Sequence, residues 1–115
     1  MPHIRVEITD NINIDQNRLL TAINRTLTCS GEFNEADIKS RVVTLHHYLA
    51  GNDASAGFVH CQLELMAGRS DAIKSSLAKA LLDTLTDHMP KSANAIQSSV
   101  HVTEINPACY TKAIF

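Results

Sequence analysis

His3-Ile4-Arg5-Val6-Glu7-Ile8 and His60-Cys61-Gln62-Leu63-Glu64-Leu65 share one pattern, His-x-x-aliphatic-Glu-aliphatic, 57 residues apart. Two copies are too few to stack into a solenoid, but they suit a duplicated supersecondary unit. In the first copy Ile4, Val6 and Ile8 alternate with Arg5 and Glu7, the period of a strand with one buried face.

The residues between the copies repeat as well. A helix is expected over about Asp15 to Cys29, where Leu19, Leu20, Ile23 and Leu27 fall on one face and Gly31 follows as a stop. The β-branched run from Arg41 to Leu49 reads as a second strand. In the second half, Gly57 to Met66 is extended and apolar. Ser70 with Asp71 offers a helix cap, and Ile73, Leu77, Leu81 and Leu85 form one stripe that Pro90 ends. Ser98 to Ile105 reads as the last strand. The third segments also match at an offset of 58, Ile38-Lys39-Ser40-Arg41-Val42 against Ile96-Gln97-Ser98-Ser99-Val100.

The expected fold is therefore α+β: a tandem βαβ repeat forming a four-stranded mixed sheet with two helices on one face. The strands of each unit run parallel, through a right-handed crossover. The chain reads as a single domain, residues 1–115, with pseudo-repeat halves of about 1–56 and 57–115. Asn52 to Gly57 is a turn rather than a linker, because neither half buries its sheet alone. The strand face bearing Arg5 and Glu7 is mixed in character, which suits packing against other subunits.

Composition removes several function classes. The net charge is −2 and no Lys/Arg cluster occurs, so no nucleic-acid partner is expected. No apolar run approaches a membrane span, and the start of the chain lacks a signal-type hydrophobic region. No membrane partner is expected, and the localisation expected is cytoplasmic. Cys29, Cys61 and Cys109 form no Cys-x-x-Cys pair and read as reduced thiols. The six histidines lack zinc-site spacing, so they are assigned to strand and turn positions and no metal is expected.

Pro2 directly follows Met1, and methionine is commonly trimmed before a small residue. Trimming leaves a secondary amine at a strand start, where proline costs little. An α-amino group titrates near ~8, and burial or nearby cations lower that value toward neutrality. A neutral amine at that point suits a general base. From position alone, Pro2 reads first as a residue that simply starts a strand.

Met1-Pro2-His3-Ile4-Arg5-Val6-Glu7-Ile8-Thr9-Asp10-Asn11-Ile12 resembles the opening of the 5-carboxymethyl-2-hydroxymuconate isomerase family, within the tautomerase superfamily. Ile38-Lys39-Ser40-Arg41-Val42, Phe58-Val59-His60 and Ala67-Gly68-Arg69-Ser70 extend the resemblance, in order, along nearly the whole chain. The resemblance implies an intramolecular isomerase with no cofactor, in which Pro2 moves a proton on a small unsaturated hydroxy or keto carboxylic acid. It implies Arg69 as a carboxylate-binding residue and a homotrimeric assembly. Lys39 stands where the family has arginine, replacing a planar two-point fork by a point charge and shifting the expected substrate. Arg41 lies two residues on and shares the strand face of Lys39, either assisting it or remaining a solvated strand residue. Two other readings stand beside this one: a tautomerase-like trimeric binding or signalling module without catalysis, and a small-molecule binding domain of similar layout.

Overall fold

The alternation at Ile4, Val6 and Ile8 becomes strand β1 (His3–Thr9), with all three side chains fully buried. Helix α1 (Gln16–Cys29) follows. It begins one residue later than its periodicity suggests because Asp15 is its cap, Oδ1 accepting the Arg18 N–H at 3.1 Å. Leu19, Ile23 and Leu27 are fully buried, whereas Leu20 is half-buried at the edge of the stripe. Past the helix, Gly31 takes a φ of 78°, a left-handed conformation that side chains rarely adopt. In this computed structural model, residues 1–91 and 94–115 are described.

Strand β2 (Lys39–Leu45) lies parallel to β1, in register from His3 opposite Lys39 to Thr9 opposite Leu45. The sequence places this strand from Arg41 to Leu49, so both ends require correction. It ends early because β1 has run out of ladder: Asp10 N–H closes on Leu45 O at 3.0 Å. The Asp10 carboxylate then accepts from Tyr48 Oη at 2.8 Å and meets His46 Nδ1 at 3.0 Å, turning the chain off the sheet.

The second half repeats the construction. Strand β3 (Gly57–Met66) buries Val59, Cys61, Leu63 and Leu65 and pairs antiparallel with β1. Helix α2 (Asp71–His88) is capped by Ser70, whose Oγ accepts the Ile73 N–H at 3.2 Å. Leu77, Leu81 and Leu85 are buried, but Ile73 is 36% exposed, contrary to the stripe. A cleft between the end of α1 and the start of α2, lined by Glu32, Ile73 and Leu77, leaves it uncovered. Strand β4 (Ile96–Ile105) runs parallel to β3, starting two residues before the expected Ser98 because its ladder extends to Gly57 opposite Ile96.

The sheet order is β2-β1-β3-β4, so the two repeat halves meet at the antiparallel β1–β3 pair. One apolar cluster joins the buried residues of β1 and β3 to those of both helices, which therefore cover the same face. Thr26 Oγ1 and Thr84 Oγ1, equivalent positions of the repeat, hydrogen-bond at 2.7 Å and tie the helices together. The opposite face carries Arg5, Glu7, Lys39, Arg41, Gln62 and Glu64, and neither helix covers it. Among the described residues, no helix is long and apolar enough to cross a membrane.

At the end of β1 a polar clip joins the halves. Thr9 Oγ1 donates to Asn11 Oδ1 at 2.7 Å and accepts the Phe58 N–H at 3.2 Å, while Asn11 Nδ2 donates to Ala56 O at 3.1 Å. Gly57 sits inside this clip. A Cβ there would stand 2.8 Å from both Thr9 Oγ1 and Asn11 Oδ1, neither of which moves without losing its bonds. Gly57→Ala is expected to destabilise the chain by about 1–3 kcal/mol, measured by urea unfolding.

Candidate active site

Pro2 continues the inward alternation of β1 and is buried, while its carbonyl accepts the Lys39 N–H at 3.1 Å. The chain start is thus stitched to the beginning of β2. The Met1 amine donates to Asp37 O at 3.1 Å, and Lys39 Nζ donates to the same oxygen at 3.0 Å. An amine and a lysine ammonium therefore share one acceptor. Lys112 Nζ, from the C-terminal segment, lies 3.8 Å from Asp37 Oδ1. Burial, then the charges of Lys39 and Lys112, lower the pKa of the terminal amine, and Asp37 offsets this in part.

Beside this group, on the sheet face that neither helix covers, the His3 ring lies between two partners. Arg41 Nη1 approaches His3 Nδ1 at 3.2 Å, and Tyr110 Oη approaches Nε2 at 3.3 Å. A guanidinium only donates, so Nδ1 is the acceptor and the ring proton sits on Nε2. Burial, Arg41 and Lys39 lower the His3 pKa against the opposing pull of Glu64, which keeps the ring neutral. Tyr110 reaches it because the 3₁₀ turn Pro107–Cys109 folds the segment after β4 back across the sheet.

Arg69 follows β3, and the pairing of His3 with Glu64 puts the end of β3 beside the start of β1. Its guanidinium is engaged by the loop after α1. Nε donates to Glu32 Oε1 at 2.9 Å, Nη2 donates to Glu32 O at 3.0 Å, and the Phe33 ring lies 4.7 Å away. Of the four residues singled out from the sequence, Pro2 and Lys39 are joined by a backbone bond, and Arg41 reaches the same place through His3. Arg69 stands at the same end of the sheet with a partner of its own. A separate cleft of about 360 Å³, bounded by Arg18, Asp87 and His88, lies at the far end, where α1 begins. Among the described residues, no three His, Cys, Asp or Glu side chains converge as a metal ion would require.

The sequence profile of the 5-carboxymethyl-2-hydroxymuconate isomerases matches residues 2–113. The chain belongs to the 5-carboxymethyl-2-hydroxymuconate isomerase family. It is an intramolecular isomerase with a tautomerase fold. The crystal structure of a 5-carboxymethyl-2-hydroxymuconate isomerase from Deinococcus radiodurans R1 superposes with a TM-score of 0.87 at 30% identity, covering 97% of this chain and 88% of that one. A 5-carboxymethyl-2-hydroxymuconate delta-isomerase superposes at 0.75 with 13% identity, over 100% of this chain and 89% of that one. A fused 4-OT described as a symmetric trimer superposes at 0.80 with 17% identity, over 96% and 91%. The last two share the fold. Comparison with curated proteins gives no match.

In this isomerase, the residues around the chain start that sequence reading missed are His3, Glu32, Phe33, Asp37, Tyr110 and Lys112. His3 had a usable signal, since it follows Pro2 at the start of β1, and the parallel β1–β2 register sets it opposite Lys39. Tyr110 and Lys112 had none, because only the tertiary return of the C-terminal segment brings them there.

Proposed function

We propose that this isomerase works without a cofactor and that the Pro2 amine, freed by removal of Met1, is its general base. The substrate is an unsaturated hydroxy or keto carboxylic acid of 5-carboxymethyl-2-hydroxymuconate type. The observation that carries this reading is the start of the chain set beside Lys39 and Lys112: burial and positive charge lower the pKa of the Met1 amine there, and the same surroundings act one residue on, at the Pro2 nitrogen, once Met1 is removed. That favours a neutral amine with a free lone pair at neutral pH. The amine takes a proton from the enol hydroxyl or the α-carbon and returns it to another carbon of the conjugated system. Lys39 stabilises negative charge developing on the substrate oxygen, with Arg41 beside it, and Arg69 is a further carboxylate-binding residue only when its Glu32 pair opens. A homotrimer fits the sheet face that neither helix covers, and it fits the apolar side chains of Ile114 and Phe115, both exposed.

The pH–rate profile tests the base. A neutral amine is required, so kcat/KM rises as pH rises through the pKa of the free enzyme's amine. If the buried, cationic surroundings that lower the Met1 amine act equally on the Pro2 amine, the midpoint falls below the ordinary value for a terminal amine. A midpoint at or above the ordinary value would remove the main support for Pro2.

A further inference from the structure

Arg69 already holds a carboxylate. Glu32 takes its Nε–H through the side chain and its Nη2–H through the main chain, and Phe33 lies against the guanidinium. The two side chains are only 24% and 31% exposed, so this pair is better shielded than an ordinary surface ion pair. Lys112 is likewise matched, by the Asp37 carboxylate. Lys39 and Arg41 differ. Lys39 Nζ rests on a neutral carbonyl and Arg41 on a neutral imidazole. Cations available for a substrate carboxylate therefore lie on the β2 side of the chain start, while the cation on the far side is taken.

We propose that Glu32 is a specificity-determining residue that occupies the Arg69 subsite as an internal competitor. The isomerase then binds one carboxylate at Lys39 and Arg41 and discriminates, among acids of the proposed class, against those whose further carboxylate must reach Arg69. This rests on the reading of the chain start as the active site and narrows its substrate class. A second carboxylate gains the Arg69 contact only after breaking the Glu32 pair, so much of its binding energy is lost. A ligand with one carboxylate bears no such cost.

Calorimetric titration of the full chain with two matched acids tests this. The probes are trans,trans-muconate and sorbate, which share a six-carbon diene and carry two carboxylates and one. Glu32→Gln is expected to tighten muconate about tenfold and sorbate less than about twofold. Arg69→Ala added to Glu32→Gln should return muconate to the wild-type affinity. An unchanged muconate affinity overturns the proposal, as does equal tightening of both acids, which is a general charge effect. Weaker binding of both acids also overturns it, since Glu32 would then serve only to hold Arg69 in place. Failure of both acids to bind either protein overturns the placing of the subsite itself. Neither acid needs to be turned over, so a failure of Pro2 as base leaves these affinities standing and is told apart by activity alone.

Discussion

Pro2→Ala, in protein whose Met1 has been removed, is expected to lower kcat about a hundredfold while the melting curve stays in place. General-base catalysis contributes roughly 10²–10⁴ in rate. The alanine amine retains some basicity, so the lower end of that range applies. The proline ring fixes φ near −65° and holds the nitrogen lone pair in one direction, whereas the alanine amine rotates and is better hydrated. Rates are measured by ultraviolet absorbance during ketonisation of an enol such as 2-hydroxymuconate or the enol of phenylpyruvate, with mass spectrometry confirming the processed start. A companion variant that retains Met1 sharpens the test. Its Pro2 nitrogen is an amide, whose lone pair is delocalised into the carbonyl and takes no proton. The Met1 amine then lies one residue from the proposed position, bonded to Asp37 O. Both variants should be nearly inactive. Full kcat in processed Pro2→Ala would sink the base assignment.

The fold was legible because it is written twice. The period of two at Ile4, Val6 and Ile8 recurs at Cys61, Leu63 and Leu65, and in both cases one face is fully buried or nearly so. Two βαβ units with one apolar helix stripe each leave few ways to share a core, and the structure adopts the expected one, both helices on one face; the Thr26–Thr84 hydrogen bond that ties them together was not read from the sequence. The end of β2 was less legible. His46, His47 and Tyr48 have acceptable strand propensity, but the Asp10 carboxylate that captures two of them comes from another segment.

The grouping of the candidate site residues was legible where they are local to β1 and β2. Pro2 and Lys39 lie at the starts of adjacent parallel strands, so pairing His3 with Lys39 brings them together. Arg69 was legible as a residue but not in its partnership, because an acidic residue in a loop gives no sign of which cation it meets. Glu32 meets Arg69 only because the loop after α1 and the loop after β3 fall at the same end of the sheet. The Tyr110 hydroxyl and the Lys112 ammonium arrive by a chain reversal for which the sequence offers only Pro107 and the Asn106 side chain that caps the turn.

Leu81→Ala is expected to cost about 3 kcal/mol, whereas Ile73→Ala costs less than about 1 kcal/mol, although both lie on the same sequence stripe of α2. Periodicity treats the two alike, since a run of i, i+4 spacings specifies a helix face but not how far along its axis the sheet extends. Leu81 is fully buried against both helices' shared core. Truncating it removes three carbons and leaves a void that close-packed neighbours fill only in part. Ile73 borders the cleft at the start of the helix and is 36% exposed, so its truncation removes contacts that water already competes for. Thermal melting separates the two, with a fall of about 10 °C for Leu81→Ala and a few degrees at most for Ile73→Ala. Protein concentration must be held fixed, because assembly of subunits raises the apparent stability by mass action. Equal losses would mean that the cleft closes over Ile73, as the stripe alone implies. The open end of that stripe also bears on the Arg69–Glu32 pair. Glu32 lines the same cleft, so filling it with a larger residue at Ile73 presses on the loop that holds Arg69.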